Sequence, residues 1–266
     1  MPLSDPARTP DILRKRVRRL LRLDHRSEDQ NEISARILPF LRSLGAVTLM
    51  GGAIRDLARA GRKGFASDLD FVVYGSDRSD FATQMERNRG LRNKFGGYSV
   101  PGFGWKVDVW HLEDTWAKTA GHVNVTTPAH LLECTFFDWD SAVYDVSTGR
   151  VIVPRDYFDI LGARILDIRL AENPNPRGSL VRALRRAALW GVKFGPRLTE
   201  FSKRAIRDMP WKDLCELDSR AFHTSVLKHL DRVRLLERLE TPLDSSSGVT
   251  LPVSAWVPQL HLGFDV

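Results

Sequence analysis

Two glycines, Gly51 and Gly52, follow the apolar run A-V-T-L-M and open the stretch G-G-A-I-R-D, and a second stretch, S-D-L-D-F-V-V-Y-G, carries Asp68 and Asp70. A glycine pair between a strand and a helix lets backbone N–H groups come close to phosphate oxygens, and the helix N-terminus adds positive potential. Asp68 and Asp70 stand at i and i+2 of the next strand, so their side chains project from one face. Two such carboxylates repel each other and persist when they share a divalent cation. A third, Asp108 in K-V-D-V-W, lies between Val107 and Val109, where a charge needs a reason. A D-x-D pair alone often just begins or edges a strand. With G-G before it and Asp108 after it, it completes what two-metal phosphoryl transfer requires: a phosphate cradle and carboxylates whose ions bridge a triphosphate and activate a hydroxyl.

The elements that must position these residues read as short strands separated by helices. Spacing predicts strands over 46–50 and 69–74, a helix through 56–60 ending at Gly61, and a helix over 77–88 capped by Ser76 or Asp77. Antiparallel pairs are expected for 98–100 with 105–112 around P-G-F-G, and for 142–146 with 150–154 around S-T-G. Beyond Arg155 the spacing turns helical, over 157–168, 180–194, 199–208 and 219–239, with Pro174, Pro176, Pro196 and Pro210 between. Ahead of the strands, a helix over 31–44 stops at Gly45. Before that, 11–23 puts Ile12, Leu13, Val17, Leu20 and Leu21 on one stripe and Arg14, Lys15, Arg16, Arg18, Arg19 and Arg22 on the remainder. That basic face is either simply solvated or a contact for a nucleic-acid backbone. The expected organisation is a basic N-terminal helix over 1–30, an α/β head over 31–155, a helical part over 156–240 and a tail over 241–266.

Composition narrows the class. The 266 residues include 40 Lys and Arg against 33 Asp and Glu, a net charge of +7, which favours an anionic partner such as nucleic acid or nucleotide phosphate. Cys134 and Cys215 have no metal-ligand spacing, and neither do His122, His130, His223 and His229, so a disulfide framework and a structural zinc site are not expected. No apolar run approaches the roughly 20 residues needed to cross a bilayer, and the protein is expected in the cytoplasm without a membrane partner. His111 reads equally as a surface residue or a proton acceptor.

G-G-A-I-R-D followed by D-L-D-F-V-V-Y-G resembles the head of the nucleotidyltransferase superfamily, specifically bacterial poly(A) polymerases and class II CCA-adding enzymes, with their G-G-x-V-R-D and D-x-D. G-R-V-I-V-P-R-D-Y-F-D-I-L-G-A-R-I-L-D is similar to their segment leading into the neck, and N-P-N-P-R-G-S-L-V-R-A-L-R-R-A-A-L-W-G-V-K-F-G-P to their neck motif. Together the matches cover 47–194. The resemblance implies an α+β fold, a polymerase beta-like mixed-sheet head followed by an all-helical neck. It also implies transfer of a nucleoside monophosphate from an NTP to a hydroxyl, with Mg²⁺ or Mn²⁺ as cofactor and an RNA 3′ end, tRNA among them, as acceptor. By position it implies that Gly51 and Gly52 contact the triphosphate and that Asp68 and Asp70 hold the metals; Asp108, read from its own setting, would be the third carboxylate. Arg55 and Asp56 would support the head and the nucleotide, and Arg182 and Arg185 match the first two neck arginines; Ala188 stands at the third, and Arg186 should point elsewhere.

The sequence departs from the family in three places. For R-R-D-x-T-x-N-A it has C-T-F-F-D-W-D-S-A, keeping at most Asp138 and Ala142. For the base-selecting E-D-x-x-R it has E-L-D-S-R, with Glu216, Asp218 and Arg220, which also reads as an i, i+4 surface ion pair. Little sequence follows the neck, so the family's body and tail are expected to be largely missing and a standard CCA-adding role is not expected. Nucleotidylation of a protein or small molecule, and a non-catalytic nucleotide- or RNA-binding module, are the alternatives.

Overall fold

The computed structural model describes residues 5–22, 32–93, 95–241 and 248–252. The expected start of the chain at 1–4, the end of the first helix at Leu23, the start of the second at Asn31 and most of the tail over 241–266 lie outside them. The chain divides into two compact units, Met1–Gly162 and Ala163–Val266.

The first unit begins with α1 (Pro10–Leu20), whose Thr9 cap accepts from Ile12 N at 3.3 Å and whose Leu13, Val17 and Leu20 are buried. Ile12, expected on that stripe, is 40% exposed. A π-helical turn (Ile33–Ile37) leads into α2 (Leu38–Leu44). There follow β1 (Ala46–Met50), α3 (Gly52–Ala60), β2 (Leu69–Tyr74), α4 (Arg78–Arg87), β3 (Leu91–Arg92), β4 (Tyr98–Ser99), β5 (Val107–His111) and the short α5 (Trp116–Thr119). The hairpin β6 (Val143–Asp145) and β7 (Arg150–Ile152) and then α6 (Tyr157–Gly162) complete the unit. Asp77 caps α4, its Oδ1 accepting from Ser79 N at 2.8 Å and Asp80 N at 3.1 Å.

Seven strands form one sheet in the order β3-β4-β5-β2-β1-β6-β7, in which only β2 and β5 are parallel. Residues at matching register share a face. Met50, Asp70 and Asp108 are neighbours across β1, β2 and β5. Two residues farther along that face, Val72 and Trp110 pack under Val125, Leu131 and Val143. The carboxylates therefore stand where the apolar cover of this face ends.

The second unit is mainly helical: α7 (Pro176–Trp190), α8 (Pro196–Asp208), α9 (Trp211–Ala221) and α10 (Arg232–Glu240), with β8 (Ile165–Leu166) and β9 (Lys193–Phe194) paired in parallel between them. Three expected helices end early. The one expected over 157–168 stops at Gly162, and Arg164 at φ 58° turns the chain into β8. That over 180–194 begins sooner, capped by Asn175, and ends where Gly191 enters the left-handed region, freeing 193–194 to pair. The periodic run over 219–239 is two helices: the Asp218 carboxylate takes Val226 N at 2.6 Å and Leu227 N at 2.8 Å, and Asp231 then caps α10. Side-chain acceptors outcompete helix continuation there. Among the described residues no helix is long and apolar enough to cross a membrane.

Candidate active site

β1 ends at Met50, and Gly51, at φ 69° and ψ −136°, turns the chain into α3. A side chain is disfavoured in that conformation, and a Cβ built there would also lie 3.4 Å from Asp70 Oδ2. The turn thus lies against a carboxylate. Arg55 N closes the first helical hydrogen bond onto Gly51 O at 3.1 Å, so the N–H groups of the first turn point beyond the helix, at its electropositive end.

The three predicted carboxylates collect at this end of the sheet. Asp70 and Asp108 stand opposite each other on the parallel strands. Asp68, just before β2, is ion-paired with Lys106, just before β5, and Leu69 N donates to Lys106 O at 3.0 Å to close the two strand entries together. Asp108 accepts a hydrogen bond from Ser99 Oγ on β4. Burial, then the charges of Asp108 and Asp68, push the Asp70 carboxyl up to about 7, although Lys106 pulls the other way. Lys106 was not singled out by sequence reasoning; its position next to a strand-borne acid is the signal that could have found it.

As the side chains stand, no three His, Cys, Asp or Glu among the described residues are arranged to hold a metal ion, Asp68 being turned onto Lys106. The donor chemistry nevertheless suits one. Three carboxylates against one lysine leave excess negative charge, and hard oxygen donors are what Mg²⁺ and Mn²⁺ take.

Arg55 and Asp56 lie behind the glycine turn in a buried network. Arg55 donates to Asp56 Oδ1 from Nε at 3.1 Å and Nη2 at 2.9 Å, to Ser67 Oγ at 2.8 Å and to Asp140 Oδ1 at 2.7 Å. Asp56 Oδ2 accepts from Ser67 Oγ at 2.8 Å and Ala66 N at 3.1 Å. Burial alone would lower the Arg55 pKa, but Asp140 and Asp56 outweigh it and raise it. The same network constrains Gly52, whose Cβ would fall 2.7 Å from Ser67 Oγ. Gly51 thus faces the carboxylates, whereas Gly52 faces the support behind them.

Asp140 was missed, because the resemblance pointed to Asp138 in the same D-W-D. Asp138 instead accepts from Trp139 N at 2.7 Å. The departing segment is tied within itself and to its neighbours: Thr135 Oγ1 lies 2.8 Å from Ser141 Oγ, Ser141 Oγ donates to Leu132 O at 2.8 Å, and Tyr157 OH donates to Trp139 O at 3.0 Å. His111 is not a surface residue. It is buried, Nδ1 accepting from Glu113 N at 3.3 Å and Nε2 lying 3.2 Å from Ser76 O.

Arg182 and Arg185 lie on α7 in the second unit. Arg182 is exposed and donates to Ser179 Oγ at 2.9 Å. Arg185 donates from Nη1 to Asp218 Oδ1 and Thr224 O, each at 2.6 Å, with its guanidinium 3.9 Å from the Phe222 ring centroid. Asp218 is fully buried. Arg186 is buried too, 5.4 Å from the Trp190 centroid. Glu216 and Arg220 form an exposed i, i+4 pair at 2.9 Å.

Comparison with solved structures identifies the fold. The complex of a CCA-adding enzyme with CTP matches at a TM-score of 0.51 and 19% identity, over 77% of this chain and 52% of that one. An apo form of a CCA-adding enzyme matches at a TM-score of 0.51 and 16% identity, over 80% and 52%. The chain has the α+β nucleotidyltransferase fold of these proteins and spans about half their length. No protein-family model matches the sequence, and no curated protein matches it.

Proposed function

We propose that the protein is a metal-dependent nucleotidyltransferase that moves a nucleoside monophosphate from an NTP to the 3′ hydroxyl of an RNA, with tRNA first among the acceptors. The observation that carries this reading is the approach of Gly51 to Asp70: a turn opening a helix N-terminus lies against a carboxylate that has a second one beside it. A polyphosphate held at the first lies next to the second. The fold is shared with a CCA-adding enzyme bound to CTP, which favours an NTP as donor and RNA as acceptor.

The acceptor oxygen attacks the α-phosphorus, a P–O bond forms as the bond to the β-phosphate oxygen breaks, pyrophosphate leaves with the electron pair, and the hydroxyl proton is released to solvent. The N–H groups at Gly51, Gly52 and the first turn of α3 bind the polyphosphate. Asp68, Asp70 and Asp108 would hold Mg²⁺ or Mn²⁺, which when bound neutralises triphosphate charge and acidifies the attacking hydroxyl. Arg55, with Asp56 and Asp140, keeps α3 seated. Arg182, exposed on α7, is carried over from the neck motif as a phosphate contact, while Arg185 supports its surroundings. The net charge of +7, with exposed Arg14, Lys15 and Arg19 on α1, suits an RNA backbone. Both cysteines are free thiols, as the cytoplasm would keep them.

The test is incubation of the purified protein with each labelled NTP, Mg²⁺ or Mn²⁺, and total RNA. Label entering RNA supports the reading. Label entering protein or a soluble product replaces the acceptor, and no label in any pool leaves only a nucleotide-binding module.

A further inference from the structure

The hairpin loop between β4 and β5, P-G-F-G-W-K, is closed by Val100 N donating to Val107 O at 2.9 Å, and it presents two aromatic rings, each with a guanidinium over it. Arg36 lies 5.3 Å from the centroid of Phe103, and Arg62 lies 5.6 Å from that of Trp105. Trp105 also meets Phe65 edge to face, with centroids 5.8 Å apart and planes at 68°. The loop is tied down by Gly104 N donating to Glu32 Oε2 at 2.6 Å.

The location matters more than the contacts. Phe65 stands three residues before Asp68, and Trp105 three before Asp108, so this edge-to-face pair marks the entry of the two parallel strands that bear the carboxylates. Lys106, next to Trp105, is the residue that pairs with Asp68. The rings are not sealed away: Phe65, Phe103 and Trp105 are half-buried and Arg62 is exposed. Partly open aromatic rings interleaved with arginine suit an unpaired nucleobase and its phosphate, because every base offers a π-face and a guanidinium serves both.

Strand order assigns the occupant. Across this end of the sheet the sequence is β5, β2, β1, with the glycine turn after β1, Asp70 on β2, and Asp108, Lys106 and Trp105 at β5. Attacking and leaving oxygens lie in line at the phosphorus undergoing transfer. If pyrophosphate leaves on the Gly51 side, the attacking hydroxyl arrives from the β5 side, where the aromatic loop stands. We propose that Phe65, Trp105 and Arg62 form a platform on which the unpaired terminal base of the acceptor RNA stacks, setting its 3′ hydroxyl beside the carboxylates. This rests on the nucleotidyltransferase reading and adds to it the place of the acceptor.

The test compares binding of a short fluorescent single-stranded RNA with that of the same RNA carrying an abasic 3′-terminal nucleotide, by anisotropy with the full chain and no NTP. The wild type should bind the abasic strand about five- to one-hundred-fold more weakly. Trp105→Leu should bind the two strands equally, and Trp105→Phe should restore most of the preference. ATP affinity should stay within about twofold in both variants, which also checks that they fold. Equal binding of both strands by the wild type, or a preference that survives Trp105→Leu, overturns the platform. Loss of ATP affinity in Trp105→Leu, with ribose triphosphate affinity retained, would give the platform to the donor base and overturn the proposal. No RNA binding at all, with label still transferred from NTP to protein or a small molecule, would remove the RNA acceptor itself, and the platform with it.

Discussion

Arg55 reaches Asp140 across 85 residues of sequence, Nη1 to Oδ1 at 2.7 Å, with 11% and 15% of the two side chains exposed. Removing Arg55 strands Asp140 and Asp56 together, at the cost of about 3–5 kcal/mol of a broken buried pair, whereas removing Asp140 leaves Arg55 its bonds to Asp56 and costs less. Asp140→Ala and Arg55→Ala are therefore expected to lower the denaturation midpoint substantially. The double variant should lose less than the sum, because the Arg55–Asp140 bond is lost only once. Additive losses measured by urea denaturation would show that the pair is not coupled.

The carboxylates should behave in the opposite way. Asp68→Ala, Asp70→Ala and Asp108→Asn are each expected to abolish or greatly reduce transfer of label from NTP while the fold persists. In metal-free buffer, Asp70→Asn should raise the unfolding midpoint. The Asp70 carboxyl is raised to about 7 from an ordinary value near 4, so between those pH values the folded state binds the extra proton. Stability from this group is highest below about pH 4 and falls as pH rises to about 7. Thermal melts across that range should show the fall in the wild type and a flatter profile in Asp70→Asn. Identical profiles would mean that Asp70 is not electrostatically strained.

Gly51 and Gly52 are expected to separate into two phenotypes. Gly51→Ala places a methyl group at the Asp70 carboxylate in a left-handed turn, so NTP affinity should fall, with a stability loss of about 1 kcal/mol. Gly52→Val collides with Ser67 and should unseat the Arg55 network, losing stability and NTP binding together. Gly52→Ala should cost less in a Ser67→Gly background than in the wild type, each measured against its own parent; an equal cost in both would place the collision elsewhere.

In the second unit, Arg185→Ala is expected to cost about 3–5 kcal/mol by leaving Asp218 buried without its cation. Arg182→Ala, which gives up the hydrogen bond to Ser179 at a more exposed site, should lower the melting temperature far less than Arg185→Ala and raise the apparent KM for NTP or RNA. A variant at Arg182 with unaltered kinetics would mean that this residue contacts neither NTP nor RNA.

Where the physics is local, the sequence was readable. Alternation and capping located 46–50, 69–74 and the Asp77 cap within a residue or so, because each depends on neighbours along the chain. The glycine turn and the carboxylates were visible for the same reason. What stayed hidden depends on partners far away. The helical period over 219–239 gave no sign that Asp218 would capture Val226 and Leu227 and break it. Asp140 looked no different from Asp138 until Arg55 chose between them, and Lys106 gained its meaning only when β5 settled beside β2. Arg185 matched a motif position, yet its surroundings engage it in packing.

Arg16 on α1 donates from Nη1 to Leu57 O at 2.8 Å and Ala58 O at 3.2 Å, and from Nη2 to Asp5 O at 2.7 Å, while Ala7 N donates to Ala58 O at 2.7 Å. The Leu57 and Ala58 carbonyls belong to the last turn of α3, the helix whose first turn faces the carboxylates. The basic helix is thus a bolt through the far end of the phosphate-facing rod. A version of the protein beginning after residue 22 would keep every residue of the site and still leave that rod unfastened.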